Sequence, residues 1–138
     1  MTIKRLLIAN RGEIASRIIS SAHDMGISCV AIYTEADKDT PYVREADQAF
    51  KLSDSYLNSK EILDIALKSN SDAIHPGYGF LSENAAFANQ VKKLNIKWVG
   101  PSSNAIKKMG DKLTAKEIAI KANVPTIKAM IKSRFHSE

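Results

Sequence analysis

The feature that most constrains this chain is a regular exchange between short apolar runs and amphipathic stretches of helical period. Residues 4–9 place Leu6, Leu7 and Ile8 in a row, the pattern of a strand covered on both faces. Residues 12–25 follow with Ile14, Ile18, Ala22 and Met25 at i, i+4, i+8 and i+11, which predicts one apolar helix face. Gly26 then stands where a helix end often needs a left-handed residue. Residues 28–33 predict a second strand and residues 34–40 a polar, acidic loop. Thr40-Pro41 predicts a cap with proline at the first helical position of a short turn through Ala46. Residues 49–52 predict a third strand, and Ser59 is the expected cap of a helix carrying Ile62, Ile65, Ala66 and Leu67. Residues 72–75 predict a fourth strand stopped by Pro76. Ser82 is the expected cap of the next helix, with Phe87, Val91 and Leu94 facing inward. Residues 96–99 predict a fifth strand, ended by Gly100-Pro101. Helices are expected around 103–109 and over 111–122, the last stopped by Asn123-Val124-Pro125.

Strand and helix thus alternate about five times with short links, which predicts a parallel sheet with helices on both faces. Right-handed crossovers then make an α/β, Rossmann-like doubly wound sheet of about five strands the expected fold. The 138 residues fit one domain of ordinary size, and a hydrophobic fraction of 44% suffices for a core. No apolar run approaches the ~20 residues of a membrane span, and the N-terminus carries no signal-peptide or transit pattern. Cys29, the single cysteine, lies in the apolar run Cys29-Val30-Ala31-Ile32 and reads as a small buried hydrophobe. One cysteine without an export signal points to a reducing, cytoplasmic setting. The net charge of +5 is spread over several expected helices with no aromatic residues between the lysines, so a solvated surface is favoured over a nucleic-acid face.

Three segments stand out as chemistry. Ligands of doubly wound sheets bind outside the carboxyl ends of the strands, so Ala9-Asn10-Arg11-Gly12-Glu13-Ile14-Ala15 is the first place to look. A dinucleotide fingerprint needs three spaced glycines, and only Gly12 is present; a tight turn is the plainer reading. The second segment, His75-Pro76-Gly77-Tyr78-Gly79-Phe80-Leu81-Ser82-Glu83-Asn84, follows the fourth strand and sets Tyr78 between two glycines. Such a loop suits ligand binding, and equally a turn whose aromatic rings cover the sheet edge. His75 by itself reads as a hydrogen-bonded structural histidine. In the third segment, Met109-Gly110-Asp111-Lys112-Leu113-Thr114-Ala115, Lys112 falls in a first helical turn, where the dipole disfavours a cation. Either it reaches an anion from a ligand, or it is a solvated lysine whose small cost is tolerated. No paired carboxylates, His/Cys metal cluster or nucleophile elbow is apparent, and no glycine follows Gly110.

Together, Ile8-Ala9-Asn10-Arg11-Gly12-Glu13-Ile14-Ala15, the loop from His75 to Asn84, and Met109-Gly110-Asp111-Lys112 resemble biotin carboxylase, the module found in acetyl-CoA, propionyl-CoA, methylcrotonyl-CoA and pyruvate carboxylases. The resemblance runs over residues 3–125 and implies an ATP-grasp enzyme that uses ATP and Mg²⁺ to activate bicarbonate as carboxyphosphate and carboxylates biotin on a carrier protein. It implies that this segment is the Rossmann-like domain preceding the ATP-grasp fold. Tyr78 and Gly79 match positions on the biotin side of the active site, with Glu83 beside them. Lys112 matches a lysine that approaches ATP. Arg17 matches an arginine of the bacterial homodimer interface, whose second arginine is replaced here by Ser20.

Residues 126–138 match nothing in the family pattern, so the chain reads as a biotin carboxylase N-terminal domain over 1–125 with a divergent tail, apparently truncated. Ile127, Met130, Ile131 and Phe135 fall at helical spacing in that tail. The resulting expectation is a fragment without catalytic residues of its own, inactive alone, binding neither ATP, Mg²⁺ nor biotin tightly. The expected partners are the carrier and the ATP-grasp portion. The alternatives are a binding or assembly module that complements a separate ATP-grasp subunit, and a flavodoxin- or receiver-like signalling domain. The last lacks the acidic cluster expected after the first strand, where Asn10 and Arg11 stand.

Overall fold

A computed structural model describes residues 2–109 of the chain. The chain divides into two compact units, Met1–Ser103 and Asn104–Glu138. The first holds five strands: β1 (Arg5–Ile8), β2 (Ser28–Tyr33), β3 (Gln48–Lys51), β4 (Ala73–His75) and β5 (Lys97–Trp98). All pair in parallel, in the order β3-β2-β1-β4-β5. Four helices connect them: α1 (Gly12–Asp24), α2 (Pro41–Glu45), α3 (Ser59–Lys68) and α4 (Ala85–Lys93). In the second unit, residues 104–109 are helical.

Side chains alternate across a strand, so each strand feeds two cores. Leu6 and Ile8 face one side with Cys29, Ala31 and Ala73, and there Ala15, Ile19 and Ala22 of α1 and Tyr42 of α2 cover them. Leu7 and Ala9 face the other side with Val30, Ile32 and Ile74, under Ile62, Ile65 and Ala66 of α3 and Phe87 and Val91 of α4. The result is the expected doubly wound α/β sandwich.

Several local expectations are corrected. The buried face of α1 is Ala15, Ile19 and Ala22; Ile18 is only partly covered and Met25 is 75% exposed, beyond the helix end. Ala22 is buried as expected, whereas Ala15 and Ile19 take the places expected of Ile14 and Ile18, one residue further along. Leu94 is likewise exposed, lying after the end of α4. Neither Ser59 nor Ser82 caps a helix. Asn58 accepts from the Glu61 N–H at 3.1 Å, and Asn84 from the Phe87 N–H at 2.9 Å. β4 starts at Ala73, one residue after the expected start at Asp72, whose carboxylate accepts from the Lys4 and Arg5 N–H groups. The expected helix over 111–122, Lys112 and the tail lie outside the described residues.

Candidate functional site

The strand order turns outward from β1 in both directions, so the crevice between the carboxyl ends of β1 and β4 is the topological switch point, the usual ligand edge of such sheets. The Asn10-Arg11 segment follows β1 there, and Pro76-Gly77-Tyr78-Gly79-Phe80 follows β4.

Asn10 joins the two. It is 1% exposed, and its Nδ2 donates to the Pro76 carbonyl at 2.8 Å and the Tyr78 carbonyl at 2.6 Å. Its Oδ1 accepts from the Arg11 N–H at 2.9 Å. The turn can wrap this closely only because Gly77 has no side chain: a Cβ there would lie 2.6 Å from Asn10 Nδ2, and φ is +66°. His75 Nδ1 accepts from the Gly77 N–H at 3.0 Å. Burial holds the imidazole below its usual pKa, so the neutral form that can accept this bond is favoured. This is the structural histidine expected.

With its backbone so anchored, the turn presents Tyr78 outward, 79% exposed, beside Gly79, whose Cβ position faces open space. An exposed phenol flanked by accessible backbone can stack on a flat ligand and hydrogen-bond its rim. Glu83 is exposed just before α4. The structure therefore brings Tyr78, Gly79 and Glu83 onto one short segment at the sheet's carboxyl edge. Arg17 is elsewhere: it lies on α1 and lines an apolar groove of about 330 Å³ with Ile3, Leu6, Ile18, Met25 and Val99, and none of Tyr78, Gly79 or Glu83 lines it.

A network that the sequence did not announce lies behind the turn. The Arg11 guanidinium grips Asp37 in two bonds, Nε to Oδ2 at 2.6 Å and Nη2 to Oδ1 at 2.7 Å. Tyr56 adds a third donor to Oδ2 at 2.6 Å. Arg11 first, and Tyr56 after it, hold the Asp37 carboxyl below the usual carboxylate range although the residue is buried. The Tyr42 hydroxyl lies 2.7 Å from that of Tyr56 and donates to the Ile32 carbonyl. Asp37 sits in the acidic loop after β2 and Tyr56 in the loop after β3, so every partner is distant in sequence. Asp37 is one of three acidic residues in the segment 34–40, with Glu35 and Asp39, and nothing in the sequence singles it out.

Among the described residues, His23, Cys29 and Asp47 form a group of possible metal ligands. Asp47 is already occupied by the Cys29 N–H at 2.7 Å and His23 Nε2 at 2.8 Å. Burial, with Asp47 nearby, pushes the Cys29 thiol up to about 11, which leaves it the inert core residue expected.

A five-stranded all-parallel sheet with helices on both faces and a switch point between β1 and β4 belongs to the Rossmann-like α/β class. Within that class the chain belongs to the family described as biotin carboxylase, N-terminal domain, whose model matches residues 2–106. It is 52% identical over 130 residues to biotin carboxylase 1 of Bacillus subtilis, covering 91% of this chain and 29% of that one. It is 49% identical to the biotin-dependent acyl-coenzyme A carboxylase alpha3 subunit of Mycobacterium leprae, again over 91% of this chain but 22% of that protein. Among solved structures it is similar to the biotin carboxylase domain of Hydrogenobacter thermophilus 2-oxoglutarate carboxylase in complex with MgADP, ADP and bicarbonate, with a TM-score of 0.79 and 43% identity, covering 91% of this chain and 28% of that one. The chain thus spans less than a third of the length of these relatives. No helix among the described residues is long and apolar enough to cross a membrane.

Proposed function

We propose that this chain supplies the biotin-side wall of an ATP-dependent biotin carboxylase active site, with Tyr78 and Gly79 as the contact residues and Glu83 at their margin. The observation that carries this is the exposed Tyr78 turn, held at the switch point by a buried Asn10, in a member of the biotin carboxylase family. The exposed Tyr78 ring offers a face on which the biotin ring system can pack, and the missing side chain at Gly79 leaves room beside it. ATP and Mg²⁺ belong on the side of Lys112, which the sequence places beyond the described residues.

By themselves these 138 residues do not turn over. Phosphoryl transfer depends on several cations fixed around the transferring group, and one matched lysine does not provide them. The chain works with the ATP-grasp portion and with a biotin carrier, in the cytoplasm. The exposed Arg17 and the apolar groove on α1 favour an assembly role, as a homodimer contact or as a surface for a separately made ATP-grasp subunit. The purified chain is expected to show no bicarbonate-dependent ATP hydrolysis, and added ATP-grasp portion is expected to restore it. Turnover by the chain alone, with contaminating carboxylase removed, would refute its dependence on the missing walls.

A further inference from the structure

Phe80 is a bulky residue at φ +48°, in the left-handed region that side chains rarely adopt. Such a conformation persists only where the surroundings over-determine it. On one side the turn is held by Asn10, which reaches Pro76 and Tyr78 but not Phe80. On the other, the Phe80 ring packs against Tyr56, centroids 5.3 Å apart and planes tilted by 53°. Tyr56 is itself fixed: it is 7% exposed, its hydroxyl donates to Asp37 at 2.6 Å and accepts from the Thr34 N–H at 3.2 Å. Asp37 in turn is gripped by Arg11, the neighbour of Asn10. The contacts close into a loop: turn to Asn10, along the chain to Arg11, across to Asp37, to Tyr56, and back through Phe80.

We propose that Tyr56 is a positioning residue for the Gly77–Phe80 turn, its ring holding Phe80 left-handed and so fixing where Tyr78 is presented. The consequence for biotin rests on the reading of Tyr78 as the biotin-side wall. Tyr56 touches no ligand in this scheme; the hydroxyl orients the ring and the ring holds the turn.

Amide hydrogen exchange on the full 138-residue chain tests it. The Gly77 and Ser82 N–H groups are bonded within the turn, and β1 amides report the sheet. In Tyr56→Ala the ratio of turn to β1 exchange rates is expected to rise about tenfold, as local opening decouples from global unfolding. Ile19→Ala, a core substitution on the opposite face of the sheet, is expected to leave that ratio unchanged. Tyr56→Phe, which keeps the ring that packs on Phe80, is expected to hold the ratio close to that of the parent chain. If Tyr56→Ala does not fold, Tyr56→Leu fills the space without an aromatic face and serves in its place. An unchanged ratio, or a Tyr56→Phe effect equal to that of Tyr56→Ala, overturns the proposal. Spectra with added biotin separate the two ideas: a loosened turn with no biotin response at Tyr78 in the parent chain keeps the positioning role and rejects the biotin reading.

Discussion

At the residue scale, the turn depends on two atoms being close: the missing Cβ of Gly77 and the amide of Asn10. Gly77→Ala adds both a clash at 2.6 Å and a positive-φ penalty, and is expected to cost about 1–3 kcal/mol in urea unfolding. Asn10→Ala leaves two carbonyls short of a buried donor and is expected to cost a similar amount, roughly 1–3 kcal/mol. Two groups around the turn contribute to acid sensitivity, beside the lowered Glu35 and Asp47 carboxyls elsewhere. Burial lowers the His75 pKa, so the unfolded chain takes up that proton first; this part of the stability is complete above about pH 6.5 and declines as pH falls below it. Asp37, held low by Arg11, contributes stability present above its unfolded pKa near 3.9 and lost as pH falls through its lower folded value. Urea midpoints between pH 3 and 7 are therefore expected to fall in two stages, with the upper stage absent in His75→Gln and the lower one reduced in Asp37→Asn. The sequence marks Gly77, Tyr78 and Gly79 as unusual because glycine and proline reveal a turn locally. It marks the Asn10-Arg11 segment only as a place to look for a ligand and is silent on Asp37 and Tyr56, because what these residues hold depends on partners brought together by the sheet.

At the scale of the element, apolar periodicity marks all five strands and the longer helices of the described region, and β2 falls where the pattern puts it; Thr40-Pro41 rather than periodicity marks α2, and the short 3-10 turn Glu35–Asp37 falls where a loop is expected. The period does not settle which residue of a helix faces the sheet. On α1 the expected face is off by one position at two of its residues, because isoleucines stand at 14, 18 and 19 and the period alone admits either neighbouring face; Ala15 and Ile19 are the buried pair. Ile19→Ala is accordingly expected to cost about 2–5 kcal/mol, whereas Met25→Ala, beyond the helix end and exposed, stays within about 0.5 kcal/mol. Thermal or urea unfolding of the pair distinguishes the two faces. Caps missed by one or two residues have the same origin: Ser59 and Asn58, or Ser82 and Asn84, are equally good on propensity, and only the entry path of the chain chooses between them.

At the scale of the whole molecule, the unit Met1–Ser103 presents the exposed Tyr78 turn at the carboxyl edge of its sheet and an apolar groove beside α1. The Arg11–Asp37–Tyr56 network binds the loops after β1, β2 and β3 into one rigid rim behind the Tyr78 turn. Such a rim suits a domain that offers a preformed wall to parts supplied by the rest of a carboxylase. Amide chemical shifts during a titration of the isolated chain with biotin test this most directly. Weak, saturable shifts centred on Tyr78 and Gly79, and abolished in Asn10→Ala, are the predicted result. Saturable shifts confined to the α1 groove, or no response at Tyr78 and Gly79 up to the solubility limit, would contradict it.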